Sequence, residues 1–208
     1  MSYGRGMHTR VSASHILLAW YVIWWSFLAI DPLDRKDWAL ENMLALVMVG
    51  TLIATHRRFR FSFVSYLLIT LFMTLHAVGA HYTYAEVPLG FWLKEILSLS
   101  RNPFDRIVHF AFGLLLVYPL KELLIRTGGV HGFWSVYLPI SGILAQSGFF
   151  ELVEALVAQA VNPELGAAYL GTQGDEWDAQ KDMASALAGA VLMAIVMRLF
   201  PTIFRNPV

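Results

Sequence analysis

"YLGTQGDEWDAQKDMASALAGAVLMAIVMRLF", residues 169–200, starts polar and acidic and ends as an apolar run in which, from Met183 to Phe200, only Arg198 carries charge. A run of that length and composition is a helix that lies in hydrocarbon, since about 20 mainly apolar residues cross a bilayer. Asp175, Asp178 and Asp182 crowd the point where this helix begins. Carboxylates at a helix start complement its dipole, which accounts for one or two of them. The glycines of "GTQGD" permit a tight backbone that folds Gln173 and Asp175 toward the same layer.

The rest of the chain repeats the pattern. Of 208 residues, 57% are hydrophobic and 14% charged, and mean hydropathy is +0.57, far from the balance of a soluble domain. Six stretches are apolar enough to span: 13–30, 39–55, 62–80, 107–125, 134–159 and 183–200. They are apolar on every face, whereas a membrane β-barrel needs alternation in short segments. The expected fold is therefore all-α, a polytopic membrane bundle of about six transmembrane helices forming one integral membrane domain over 1–208. No linker composition or internal repeat divides it.

With six spans both termini share a side, and basic residues choose it. Arg5, Arg10, Arg57, Arg58, Arg60, Lys121, Arg126, Arg198 and Arg205 fall on the side of the termini, against Arg35, Lys36, Lys94, Arg101, Arg106 and Lys181 on the other. That bias places both termini in the cytoplasm and the connections 81–106 and 160–182 outside. Net charge is zero with no basic face, so no nucleic-acid partner is expected, and the absence of cysteine excludes disulfides and thiolate chemistry.

Ionisable groups at membrane depth are costly unless they are paired or line a wet cavity. In "LFMTLHAVGAHYTYAEVP", residues 71–88, His76 sits about one turn inside the outer boundary and His81 at it. A lone histidine there is commonly a neutral imidazole bonded to a carbonyl. "SRNPFDRIVHFAFG", residues 100–113, reads as a helix capped by Ser100 or Asn102 with Pro103 in its first turn, Asp105 and His109 on one face, and Arg101 and Arg106 nearby. "SGFFELVEALVAQ", residues 147–159, places Glu151 and Glu154 three apart on one face. Two such carboxylates in low dielectric share a proton, meet a cation or bind a metal, and an ion pair to Arg101 or Arg106 is the plain alternative.

These groups share one depth, so a single outward-opening polar pocket is expected. Imidazole with carboxylate suits a divalent transition metal, zinc, iron or manganese. His76, His81, Glu154 and Asp182 are the candidate metal ligands; Asp105, His109, Glu151, Glu154 and Asp178 are the candidate acid–base residues. Tyr82, Tyr84, Arg101, Arg106 and Gln173 are candidates for holding substrate, the arginines through a phosphate or carboxylate head group. "ASALAGAVLMA", residues 184–194, reads as small faces for close helix contact, Ala184 and Ala188 on one and Ala186, Gly189 and Ala190 on another.

Three blocks, "GAHYTYAEVPLGFWL", "LSRNPFDRIVHFAFG" and "LGTQGDEWDAQKDMASALAGA", resemble the bacterial inner-membrane proteins of the YjdF type, a family of undefined function. The resemblance covers most of the chain and implies a multi-pass protein of the bacterial inner (cytoplasmic) membrane. More distantly, Asp105, Arg106, His109, Phe110, Glu151 and Asp182 are similar to a pattern in VanZ-like envelope proteins linked to antibiotic tolerance, although the arginine-rich start of the last VanZ block is lacking. Three functions fit these observations. One is a metal-dependent enzyme, a hydrolase or transferase, acting on a lipid or envelope-linked substrate. The others are a cation- or proton-coupled small transporter and a non-catalytic envelope factor. Membrane lipids are partners in each; Pro119 and Pro139 lie near helix ends and form no matched broken pair of the kind transporters use.

Overall fold

In the computed structural model, which describes residues 13–204, the chain is helical throughout: α1 Ala13–Leu28, α2 Arg35–Thr55, α3 Phe63–His81, α4 Pro88–Ile96, α5 Phe104–Gly128, α6 Trp134–Ala160, α7 Pro163–Leu170 and α8 Asp178–Leu199. Arg5, Arg10 and Arg205, which enter the orientation argument, lie outside the described residues. Five helices, α2, α3, α5, α6 and α8, are long and apolar enough to cross a membrane, and α1 is a shorter apolar helix.

Local chemistry sets several boundaries. Asp34 caps α2 by accepting from the backbone N–H groups of Lys36 and Asp37 at 2.7 and 3.0 Å. That cap starts α2 four residues before the expected span at 39, which puts Asp37 on the same membrane helix as Glu41. The two outer connections contain short helices of their own. Pro88 opens α4, and Pro163 opens α7 beneath an Asn162 cap that accepts from Leu165 N–H at 2.9 Å. Neither the Ser100 nor the Asn102 side chain acts as a regular N-cap of α5, whose cap position is Pro103. Asn102 instead ties three segments together: Oδ1 accepts from Phe104 N–H at 3.0 Å, and Nδ2 donates to the Ala85 and Val87 carbonyls at 2.8 and 3.1 Å.

α5 is the central helix, packed on α3, α6 and α8. Its closest partner is α8, and the reason is glycine. A Cβ on Gly113 would stand 1.8 Å from the Ala186 carbonyl oxygen, and one on Gly189 would stand 2.1 Å from that of Phe110. Ala186, Gly189 and Ala190 form the buried face of α8, while Ala184 and Ala188 point outward. Without side chains between them the two backbones nearly touch, as small-residue faces allow in membranes. The apolar core lies along this seam, with Met73, Val117, Ile143, Ala186 and Ala190 among its most buried members.

Candidate functional site

The close α5–α8 seam brings the first turn of α5 against the first turn of α8, and with them the charged residues of both. Arg101 is buried and ion-pairs with Asp178, and its guanidinium also donates to the Thr172 and Gly171 carbonyls at 3.1 and 3.2 Å. Arg106 pairs with Asp175 and reaches Asp178 at 3.4 Å. Asp175 in turn accepts from Lys181 Nζ at 2.7 and 2.9 Å and from Trp177 N–H at 3.1 Å. The Lys181 hydrogen bond, then those of Trp177 and Arg106, hold the Asp175 carboxyl below the usual carboxylate range.

One turn deeper the cations stand farther off, Arg101 Nη2 reaching Asp105 Oδ2 only at 3.8 Å. Asp105, His109 and Asp182 each offer a ligand atom, and the three atoms lie within 4.8 Å of one another. His109 Nε2 stands 3.6 Å from Asp105 Oδ1 and 3.5 Å from Glu151 Oε1, and Nδ1 stands 3.5 Å from Ser147 Oγ. Asp182 Oδ1 and Glu151 Oε1 are buried without a hydrogen-bond partner; Arg106 Nε approaches Asp182 Oδ1 to 3.9 Å only. Buried polar atoms are normally satisfied, and each exception needs a cause.

Beside this cluster lies a partly open cavity of about 230 Å³. Asp105, His109, Glu154, Glu41, His76 and Tyr84 are among its lining residues. The remaining wall is apolar, from Leu44 and Met48 of α2, Phe72 of α3, Phe112 of α5 and Phe149 and Phe150 of α6. Glu41, 4% exposed, has a buried Oε2 without a hydrogen-bond partner, as does His76 at Nε2. Glu154 lies within electrostatic reach of Glu41, Asp105 and Glu151.

A strained turn supplies Tyr84. Thr83 and Tyr84 both take the left-handed backbone conformation, with φ of 53° and 51°. Such a conformation costs a non-glycine residue about 1 kcal/mol or more. It folds the Tyr84 ring back over Gly79, where a Cβ would stand 2.6 Å from the ring, and the hydroxyl hydrogen-bonds His76 Nδ1. Burial, reinforced by nearby Glu41 and Asp105, pushes the Tyr84 phenol well above its ordinary value, so it stays a neutral hydroxyl. A phenol that donates to Nδ1 leaves the imidazole proton on Nε2, facing the cavity.

The chain matches, over residues 13–202, the family described as predicted membrane protein DUF2238. It belongs to that family. It is also 40% identical over 175 residues, 84% of this chain and 83% of the relative, to the inner membrane protein YjdF of Escherichia coli (strain K12). No solved structure matches. With the five membrane-length helices, these likenesses make this family member a multi-pass inner-membrane protein. The VanZ-like similarity has no counterpart in these matches and stands on its six residues alone.

Among the expected site residues, Asp105, His109, Glu151, Glu154, Asp182, His76 and Tyr84 do gather in one region of the family member. Others do not reach the cavity. His81 Nδ1 bonds the Leu28 carbonyl oxygen at 2.8 Å and its ring packs on Tyr82, because the last turn of α3 faces α1; it sits outside the ligand cluster, and Tyr82 outside the cavity lining. Arg101, Arg106 and Asp178 neutralise one another in the layer above, so neither arginine lines the cavity as a head-group contact. Gln173 hydrogen-bonds the Asn102 backbone, accepting at 2.9 Å and donating at 3.1 Å, and is not among the cavity-lining residues. His76 and Glu154 line the cavity beyond the Asp105–His109–Asp182 group. Glu41 and Tyr169, both at the cavity, were absent from the expected set. The signal for Glu41 was available: Asp34 as a cap followed by Asp37 and Glu41 at i, i+4 extends the helix through both acids.

Proposed function

We propose that the protein is a membrane-embedded, divalent-metal-dependent enzyme, a hydrolase or transferase, that works from the outer leaflet on a lipid or envelope-linked substrate. The observation that carries this reading is the trio Asp105, His109 and Asp182, with ligand atoms within 4.8 Å, in which Asp182 Oδ1, like the neighbouring Glu151 Oε1, is buried without a hydrogen-bond partner. One imidazole and two or three carboxylates suit zinc, iron or manganese. Such an ion, when bound, acidifies a coordinated water toward neutral pH. Glu151, 3.5 Å from His109, is placed to accept a proton there, and Glu154 extends the acidic wall toward the cavity. Arg101 and Arg106 act as positioning residues, holding Asp178 and Asp175 so that α8 starts against α5. The basic-residue bias puts the termini in the cytoplasm and this end of the bundle outside.

A cation or proton pathway is the other reading of buried acids, but the bundle beneath the cavity is apolar, with Met73, Val117, Ile143 and Met193 in the way. Elemental analysis of purified protein tests the metal reading. Near-stoichiometric zinc, iron or manganese is expected in the wild type and is lost in His109→Ala and Asp182→Asn. A wild type that holds none and binds none when manganese is added overturns it.

A further inference from the structure

The cavity has a charge problem that the trio does not resolve. Its polar wall carries Glu41, Asp105 and Glu154, and no lysine or arginine lines it. Glu41 is on α2, the far side from α8, and its Oε2 is buried and without a hydrogen-bond partner. An unpaired buried carboxylate costs several kcal/mol. A cation near Glu41 and Glu154 offsets that cost.

The surroundings say what kind of cation. Two buried tyrosines, Tyr84 and Tyr169, line the cavity within electrostatic reach of Glu41 and Glu154. Aromatic rings beside carboxylates are the setting in which organic ammonium groups bind, through the ring face as well as the opposite charge. A small hydrated ion has no use for the rest of the wall, which is Leu44, Met48, Phe72, Phe112, Phe149 and Phe150. That wall fits a hydrocarbon chain.

The bundle also leaves a way in. α2 packs on α3 and α7, and α6 packs on α5, α7 and α8, but α2 and α6 share no substantial interface. They frame the cavity and meet through α7. Leu44 on one side of the gap and Phe149 on the other are 38% and 61% exposed, on helices that sit in the membrane. The opening therefore faces hydrocarbon.

We infer that the cavity seats an amphiphile taken laterally from the bilayer between α2 and α6, with a cationic ammonium head against Glu41 and Glu154 between Tyr84 and Tyr169 and its chain along the apolar wall. This rests on the reading of the cavity as a substrate site, and it names the substrate class. The ammonium subsite belongs to α2, α6, α7 and the turn that carries Tyr84; the trio belongs to α5 and α8.

The test uses the full chain in phosphatidylglycerol vesicles with two photoreactive probes, a diazirine-tailed dodecylammonium and a diazirine-tailed dodecyl phosphate, and maps labelled residues by mass spectrometry. The ammonium probe is expected to label Met48 and Phe150 well above the bilayer-facing residues Ile23 and Phe27 of α1, and the phosphate probe to label all four alike. Dodecylammonium competes and butylammonium does not. Labelling falls to the α1 level in Glu41→Gln, and also in Leu44→Trp, which plugs the gap from an exposed position. Asp182→Asn keeps the labelling while losing manganese binding, so failure of the metal reading and failure of this one are read separately. Equal labelling by the phosphate probe, competition by butylammonium, or unchanged labelling in folded Glu41→Gln overturns the inference.

Discussion

Glu122 and Glu41 are both glutamates buried in membrane helices, one at each end of the bundle, and they live in opposite circumstances. Glu122, fully buried on α5, accepts from Ser62 N–H and Ser62 Oγ at 2.8 Å each, from Ser65 Oγ at 2.5 Å and from Arg126 at 2.7 Å. It fastens the start of α3 to the end of α5. Glu41 has a buried oxygen with no hydrogen bond and shares a cavity with other acids. Burial alone thus says little about role in a membrane protein. Satisfaction separates a carboxylate that holds helices together from one whose partner is still to come.

The comparison breaks first at Glu122. Glu122→Ala leaves Arg126 and two serines facing an apolar gap, and a loss of about 3–5 kcal/mol is expected in detergent unfolding titrations. A loss comparable to that of a surface substitution would mean the two glutamates are alike after all. Next in size is the seam that assembles the outer end. Gly189→Val forces a side chain toward the Phe110 carbonyl, 2.1 Å from where its Cβ would be, and overpacking of this kind costs about 1–3 kcal/mol. On the proposed metal reading, manganese binding falls together with stability, because Asp182 moves away from Asp105 and His109.

Glu41→Met sharpens the contrast with the opposite sign. Replacing an unpaired buried acid with an apolar side chain of similar size should leave stability unchanged within about 1 kcal/mol, or raise it. Unfolding titrations on the same scale as Glu122→Ala show whether the two substitutions diverge. The smallest effect concerns the outer layer. Lys181 and its companions hold Asp175 below its ordinary titration range, so the folded state favours the ionised form. This contribution is present above about pH 4, the unfolded titration point, and is lost as pH falls through the lower folded value. Melting temperatures should therefore be lower in Asp175→Asn than in wild type at pH 7, and the two should converge below pH 4, where the wild type loses this contribution and the variant has none to lose.

Much of this architecture is visible in the chain itself. Hydrocarbon accepts a helix only where about 20 apolar residues run together, so the spans from 62–80 onward stand out by composition. The small residues of α8 announce a close neighbour, and the aspartates before it announce a polar layer. Depth is readable because every residue of a helix advances it by a fixed rise. Partners are less so. Nothing in the order of residues says that Arg101 and Arg106 spend their charge on Asp178 and Asp175, or that His81 turns to the Leu28 carbonyl while His76, five positions earlier, looks into a cavity.

Glu41 marks the boundary most clearly. Its helical position follows from the Asp34 cap, and its depth follows from the helix. That it faces Glu154 and Tyr169 across an open space, rather than water or a neighbouring cation, depends on how far α2 stands from α6. That distance is set by which helices pack on which, and by two glycines that draw α8 onto α5. Composition and periodicity act along a single helix and yield the spans and their depths. Which acids are paired and which are left to receive a ligand is decided between helices, where side chains distant in sequence compete for the same few partners.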